Sequence, residues 1–225
     1  YSKNSYEYYM EYERFAFITS LLAKKLFEGA SFLDIGCAKG EFFYYLIKKG
    51  YNCKFTGVEI SEDLLEIARQ EPMLKGVDFI EGDAQYFELN RTFDFVFMAG
   101  VLSIFDKIDD VLNRFLCHLK PGGRGYIWGG FNTNDIDVLV RYRNNFLDLN
   151  VWESGLNMYS LKTIERLLGE KVSGFKAHPF FMNKDLEKHD NPVKTYTLNT
   201  EEAGRIVANG ANIIREFYLL EFCKR

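Results

Sequence analysis

The residues best suited to chemistry cluster first in one stretch, Phe32-Leu33-Asp34-Ile35-Gly36-Cys37-Ala38-Lys39-Gly40-Glu41-Phe42. An apolar run reaches Asp34, two glycines turn the chain, and Phe42, Phe43, Leu46 and Ile47 follow at helical spacing. A strand, a tight turn and a helix N-terminus in that order form the junction where α/β sheets bind nucleotide-like ligands. Gly36 and Gly40 let the backbone approach a ligand where a Cβ would obstruct it. The spacing Asp-x-Gly-x-x-x-Gly departs from the Gly-x-Gly-x-x-Gly of dinucleotide pyrophosphate sites, because position 38 is alanine.

Three more positions belong with this turn. Glu59 ends a second apolar run, roughly twenty residues past Gly36, where a carboxylate can accept both ribose hydroxyl protons. That residue keeps a NAD(P)-linked oxidoreductase open as an alternative. Asp83-Ala84 follows a third apolar run, and Gly100 ends a fourth.

A second group of candidates lies later in the chain. In Phe131-Asn132-Thr133-Asn134-Asp135-Ile136-Asp137, either aspartate could serve as a general base, and Asp137 is the first catalytic candidate. Arg141, Arg143 and Trp152 could hold an anionic or ring-bearing acceptor, with Asn132 beside them. His178 and His189 flank a late strand and loop, and His178 is the second catalytic candidate. His118, in a helix before a Pro-Gly-Gly turn, reads as a capping or surface histidine. No Cys-x-x-Cys pair or other metal-ligand spacing is present, so no metal is expected.

The elements that must position these residues follow from the apolar pattern. Runs at 53–60, 77–82, 93–98 and 125–129, with that at 32–35, alternate with helical patterns containing Leu64, Leu65, Ile67 and Ala68, and then Val111, Leu112, Phe115 and Leu116. This beat predicts a parallel, doubly wound sheet, and each strand ends at Gly, Asp or Glu. Such residues would line one crevice outside the carboxyl ends. Helices over 1–29, carrying Tyr6, Tyr8, Tyr9 and Tyr12, would cap that crevice. Residues 131–160 are long for a plain connection and predict an inserted helical lid on the acceptor side. A helix near 161–168, a strand near 174–181, a polar irregular stretch at 183–200 and an apolar strand at 215–223 complete a single domain over 1–225.

Composition bounds the rest. The chain has 225 residues, 47% of them hydrophobic, which suits one α/β domain with a sizeable core. A net charge of −4 offers no general basic field for nucleic acid or an anionic membrane. Four scattered cysteines fit a reduced, cytoplasmic setting better than a disulfide framework. No apolar run is long enough for a membrane span, and the first residue is Tyr, so residues are expected upstream.

Taken with Leu119-Lys120-Pro121-Gly122-Gly123, the four motifs resemble the class I S-adenosylmethionine-dependent methyltransferases throughout residues 32–131. The resemblance implies a Rossmann-like sheet of about seven strands, mostly parallel and closed by an antiparallel C-terminal strand. It implies that Asp34 and the turn through Gly36, Cys37, Ala38 and Gly40 hold the amino-acid end of S-adenosylmethionine. Glu59 and Ile60 would take the ribose region, Asp83 and Ala84 the adenine, and Gly100 would offer backbone to the cofactor. An Asn/Asp-Pro-Pro-Tyr motif of amine and amide methylators is absent from 97–102. The expected activity is methyl transfer to a small-molecule oxygen, with S-adenosylhomocysteine as product. The same fold and motifs would also serve an RNA methyltransferase or a non-catalytic partner that only binds the cofactor. Residues 190–197 resemble the C-terminal region of bacterial methyltransferases associated with surface-glycan synthesis.

Overall fold

The computed structural model describes residues 6–7, 12–145, 151–189, 191 and 193–225. Tyr8, Tyr9, Asp190 and Pro192 therefore lie outside the described residues. The main sheet contains β1 (Ser31–Ile35), β2 (Lys54–Glu59), β3 (Asp78–Glu81), β4 (Phe93–Ala99), β5 (Leu119–Asn132), β6 (Tyr159–Ser160) and β7 (Val172–Phe180). A separate hairpin, β8 (Tyr196–Thr200) and β9 (Gly204–Ala208), follows before β10 (Phe217–Lys224) rejoins the main sheet. The order there is β3-β2-β1-β4-β5-β10-β7, with β6 paired to the end of β5. β10 runs antiparallel to both neighbours and the other pairings of this sheet are parallel. The chain leaves β1 first toward β2 and β3, then returns to β4 on its other side. That reversal puts the topological switch point at the carboxyl ends of β1 and β4, the usual ligand position in open α/β sheets.

Strands buried on both faces read as continuous apolar runs, because helices cover each side. Successive residues of β1 serve opposite faces. Phe32 packs with Ile18, Leu22, Phe42, Phe43, Phe55, Phe95 and Phe97, beneath α1 (Glu13–Leu22), α2 (Glu41–Lys48) and α3 (Glu62–Gln70). Leu33 and Ile35 pack with Val96, Met98, Val111, Phe115 and Ile164, beneath α4 (Asp109–His118) and α5 (Leu161–Leu168). Most of the abundant aromatics fill these two layers, as Phe32 does with its ring at 5.8–6.4 Å from those of Phe42, Phe43, Phe55, Phe95 and Phe97.

Four expectations need correction. The insertion at 131–160 is not a helical lid over its described residues. It is an irregular two-stranded arm, with antiparallel bridges Val138–Met158 and Tyr142–Glu153. Its side chains alternate between partly buried and exposed from Val138 to Asn144, a strand period that the many Asn and Asp residues obscure. Residues 183–200 are not irregular throughout, since β8 pairs with β9 in the hairpin. The Pro-Gly-Gly turn lies inside β5, where the pairing with β4 jumps from Phe93–Leu119 to Phe95–Arg124, so it works as a bulge. His118 is buried rather than exposed. Its Nε2 accepts the Leu89 N–H at 3.0 Å and its ring stacks on Phe87 at 4.5 Å.

Candidate active site

The turn between β1 and α2 is shaped by close contacts that only glycine permits. Gly36 has φ +75°, and a Cβ there would lie 2.4 Å from Cγ2 of Val101. Gly40 has φ +76°, and its Cβ would press on Leu74 and Phe79 at 2.9–3.0 Å. Ala38 adopts φ +48°, a left-handed conformation that costs a residue with a Cβ. The turn is held from below, because the Gly36 and Cys37 N–H groups donate to the Val58 carbonyl at 2.7 and 3.0 Å.

Glu59, at the end of β2, holds the turn from the side. One of its carboxylate oxygens accepts the Ala38 N–H at 3.0 Å, and the other accepts those of Ile60 and Ser61 at 3.0 and 3.1 Å. Ser61 then caps α3, accepting the Leu64 N–H. Ile60 is 64% exposed beside this carboxylate, an apolar surface at the crevice edge.

Asp34 lies beneath the turn and is only 3% exposed. Its Oδ1 is buried without a hydrogen-bond partner. Burial, and then the charges of Glu41 and Glu59, push its carboxyl well above the usual carboxylate range. A buried acid in this state is costly unless a cation or a proton meets it. The ammonium of an amino-acid moiety has the charge to relieve it.

The neighbouring strand ends complete the row. After β3, Oδ1 of Asp83 accepts the Gln85 N–H at 2.7 Å, while Ala84 packs its small side chain against the core. Gly100, after β4, donates to the Trp128 carbonyl at 2.8 Å and accepts from the Ser103 hydroxyl at 2.9 Å. Gly100, Trp128, Gly129, Gly130, Asn157 and Tyr159 line a narrow crevice there. The fold thus brings Asp34, Gly36, Cys37, Ala38, Gly40, Glu59, Ile60, Asp83, Ala84 and Gly100 to one edge.

The acceptor-side candidates are dispersed. Both oxygens of Asp137 are engaged at the start of α5, with the Ser160 N–H at 2.7 Å and the Thr163 hydroxyl at 2.9 Å. Partial burial works to raise its carboxyl, yet these hydrogen bonds outweigh it and leave the pKa below the ordinary value. That combination fastens the arm to α5 and makes Asp137 a poor proton acceptor. His178 lies in β7, four strand positions from β1, or about 19 Å at ordinary strand spacing. Its Nε2 meets Glu221 at 3.0 Å, in a cluster that Arg124 and Tyr126 share. His189 closes its own loop by accepting the Asn191 N–H. Asn132 builds a local turn, accepting from Asn134 and donating to the Ile136 carbonyl. Arg141 pairs with Asp106. Trp152 is 67% exposed on the arm, with Arg143 over its ring at 5.7 Å.

Three contributors have contacts that the sequence does not specify. The Tyr6 hydroxyl donates to the Lys39 carbonyl at 2.7 Å, and Lys39 stands over the Tyr6 ring, so the N-terminal segment touches the glycine turn directly. Asn157, almost fully buried, pins the arm by accepting the Val140 N–H and donating to Phe105 and Asp106. Arg215 rests against Gly130, where a Cβ would lie 3.2–3.3 Å from its guanidinium nitrogens. Their only sequence signals are the N-terminal tyrosines and the Gly129-Gly130 pair.

A family described as a methyltransferase domain matches residues 32–123. The malonyl-[acyl-carrier protein] O-methyltransferase of Priestia megaterium is 22% identical over 68% of this chain and 57% of its own length. A fatty-acid O-methyltransferase of Mycolicibacterium smegmatis is 28% identical over 43% of this chain and 35% of its own. The chain thus spans about half the length of these curated relatives. The crystal structure of the glycopeptide N-methyltransferase MtfA with S-adenosylhomocysteine superposes with a TM-score of 0.60. That likeness covers 96% of this chain and 91% of the other at 12% identity, and it concerns the fold. The family match lies on the strands that form the glycine turn and its neighbours, so residues 32–123 are similar to a methyltransferase domain, and the chain shares its fold with a methyltransferase solved with S-adenosylhomocysteine.

Proposed function

We propose that this chain transfers a methyl group from S-adenosylmethionine to an oxygen of a small-molecule acceptor. The observation that carries the reading is the buried, unpartnered Asp34 oxygen beneath a turn whose Gly36 and Gly40 have no room for a Cβ. Bound S-adenosylmethionine supplies a methyl already activated on a sulfonium. Asp34 would meet the ammonium of its methionine moiety, and free N–H groups of the turn would suit its carboxylate. Glu59 retains lone pairs for the ribose hydroxyls, Ile60 offers an apolar face to the base, and Asp83 with Ala84 would take the adenine edge.

The protein's part in such a reaction is alignment and exclusion of water. A carboxylate acceptor brings its own electron pair and releases no proton. A hydroxyl acceptor needs a base, and Asp137 and His178 are both otherwise engaged. This favours an acceptor oxygen that is already anionic. The names of the two relatives, a malonyl-carrier and a fatty-acid O-methyltransferase, agree with it, whereas MtfA is named for nitrogen. The four free cysteines suit a reduced, cytoplasmic compartment. No helix among the described residues is long and apolar enough to cross a membrane, and the described residues contain no cluster of three or more His, Cys, Asp and Glu placed to hold a metal.

Calorimetric titration of the whole chain with S-adenosylhomocysteine and with NADH tests the reading. Binding of the first, abolished in Asp34→Asn, supports it. Binding of NADH alone overturns it in favour of an oxidoreductase.

A further inference from the structure

Arg215 precedes β10, whose first residue Phe217 pairs with Gly130 at the carboxyl end of β5. Its backbone N–H donates to the Val207 carbonyl, which anchors the residue to the β8–β9 hairpin. The side chain lies over the Phe217 ring at 5.0 Å and against Gly130. Phe217 itself stacks on Trp128 at 5.7 Å, so the guanidinium, Phe217 and Trp128 form one stack. Trp128, Gly129 and Gly130 also line the crevice that reaches Gly100.

Among the described residues the guanidinium has no counter-charge, since no carboxylate there forms an ion pair with it. The nearest acid in sequence, Glu216, turns instead to the hydroxyls of Tyr218 and Thr133. Partial burial works against the charged form, with nothing offsetting it. Arginine stays protonated under such conditions, so the site carries a desolvated positive charge with planar donors. A guanidinium of this kind pairs best with a carboxylate or phosphate, bidentately.

We propose that Arg215 binds the anionic group of the methyl acceptor, a carboxylate or a phosphate, beside the Gly129–Gly130 backbone. The assignment rests on the methyltransferase reading of the crevice, and it deepens that reading by naming the acceptor's charge. It replaces Arg141, which Asp106 neutralises, and a Cβ at residue 130 would press on the guanidinium at 3.2–3.3 Å. Ring stacking on Phe217 alone would give a structural role, but that role predicts no response to added anions.

The test uses the whole chain saturated with S-adenosylhomocysteine. Its unfolding midpoint is followed while acetate, or inorganic phosphate, replaces chloride at constant ionic strength. The wild-type midpoint should rise saturably with at least one anion, and the stronger of the two identifies the acceptor group. Arg215→Gln should raise the apparent Kd by roughly tenfold or more, and Arg215→Lys should restore part of the loss. Should Arg215→Gln fail to fold, Gly130→Ala keeps the charge but displaces it, and should also weaken anion binding. No saturable rise in the wild type, or an equal rise in the variants, overturns the assignment. If the wild type does not bind S-adenosylhomocysteine, the underlying reading fails. If it binds but ignores anions, only the Arg215 assignment fails.

Discussion

The backbone N–H of Ala38 donates to the carboxylate of Glu59 at 3.0 Å, joining the turn after β1 to the end of β2. The same carboxylate accepts the Ile60 and Ser61 N–H groups through its other oxygen. Glu59 therefore holds the alanine in its left-handed conformation and sets the start of α3. The residue proposed to take the ribose is at the same time the brace of the turn.

Glu59→Ala should then show two separable losses. Removing the acceptor of three charge-assisted hydrogen bonds should lower stability by about 2–4 kcal/mol, measured by urea unfolding without ligand. Affinity for S-adenosylhomocysteine should fall by more than the turn's loosening explains, and Glu59→Gln, which keeps one acceptor oxygen, should recover stability better than affinity. Equal recovery of both would mean that Glu59 acts only as a brace.

Asp34 makes the stability of the unliganded chain depend on pH. Its carboxyl titrates higher in the folded than in the unfolded chain, because of burial and then the Glu41 and Glu59 charges. The folded state thus binds its proton more tightly. Its stabilising contribution is complete below the unfolded pKa of about 3.9 and is lost as pH rises through the raised folded pKa. Asp34→Asn should flatten the fall in stability with pH over that window, measured by urea unfolding at a series of pH values. Cofactor binding should strengthen with pH over the same window in the wild type and lose that dependence in Asp34→Asn. Parallel pH profiles for the two proteins would remove Asp34 from the ligand site.

The parallel core is open to reading because each strand is a short apolar run that stops at Gly, Asp or Glu. Phe32 to Ile35 and Phe93 to Ala99 could be little else between helical patterns. The arm after β5 misleads because Asn132, Asn134, Asp135 and Asp137 resemble helix caps, while Val138, Val140 and Tyr142 alternate as in a strand. Asp137 does serve a helix start, but that of α5, a contact 23 residues away that spacing could not reveal. Arg215 is hidden for a different reason. An arginine's lack of a counter-charge is a property of the folded surroundings, and nothing near position 215 in the sequence marks it.

Asp137→Ala should cost stability rather than chemistry. Both oxygens join the arm to α5, so the loss should be about 1–2 kcal/mol, the range of a helix-cap deletion. The carboxyl titrates lower when folded, where partial burial is outweighed by the Ser160 and Thr163 hydrogen bonds. Its contribution is present above the unfolded pKa of about 3.9 and disappears as pH falls through the lower folded value. Thermal unfolding at pH 7 should separate the variant from the wild type, and at pH 2 the gap should narrow. A large fall in kcat with unchanged unfolding would restore Asp137 as a base.

Tyr6 tests whether the N-terminal segment takes part in ligand binding. Its hydroxyl donates to the Lys39 carbonyl at 2.7 Å, and its ring lies 5.0 Å from Tyr44, whose own hydroxyl donates to Glu7 at 2.6 Å. The segment thus clamps the outer side of the glycine turn and the first half of α2. Tyr6→Phe keeps the ring and removes one hydrogen bond, so stability should fall by only about 1 kcal/mol. If the clamp holds the turn in the conformation that a ligand needs, affinity for S-adenosylhomocysteine should fall by several fold, mainly through faster dissociation. Stopped-flow displacement of the bound product measures that rate directly. An unchanged dissociation rate, beside the small stability loss, would leave the segment as a packing element on α2 with no part in holding the ligand.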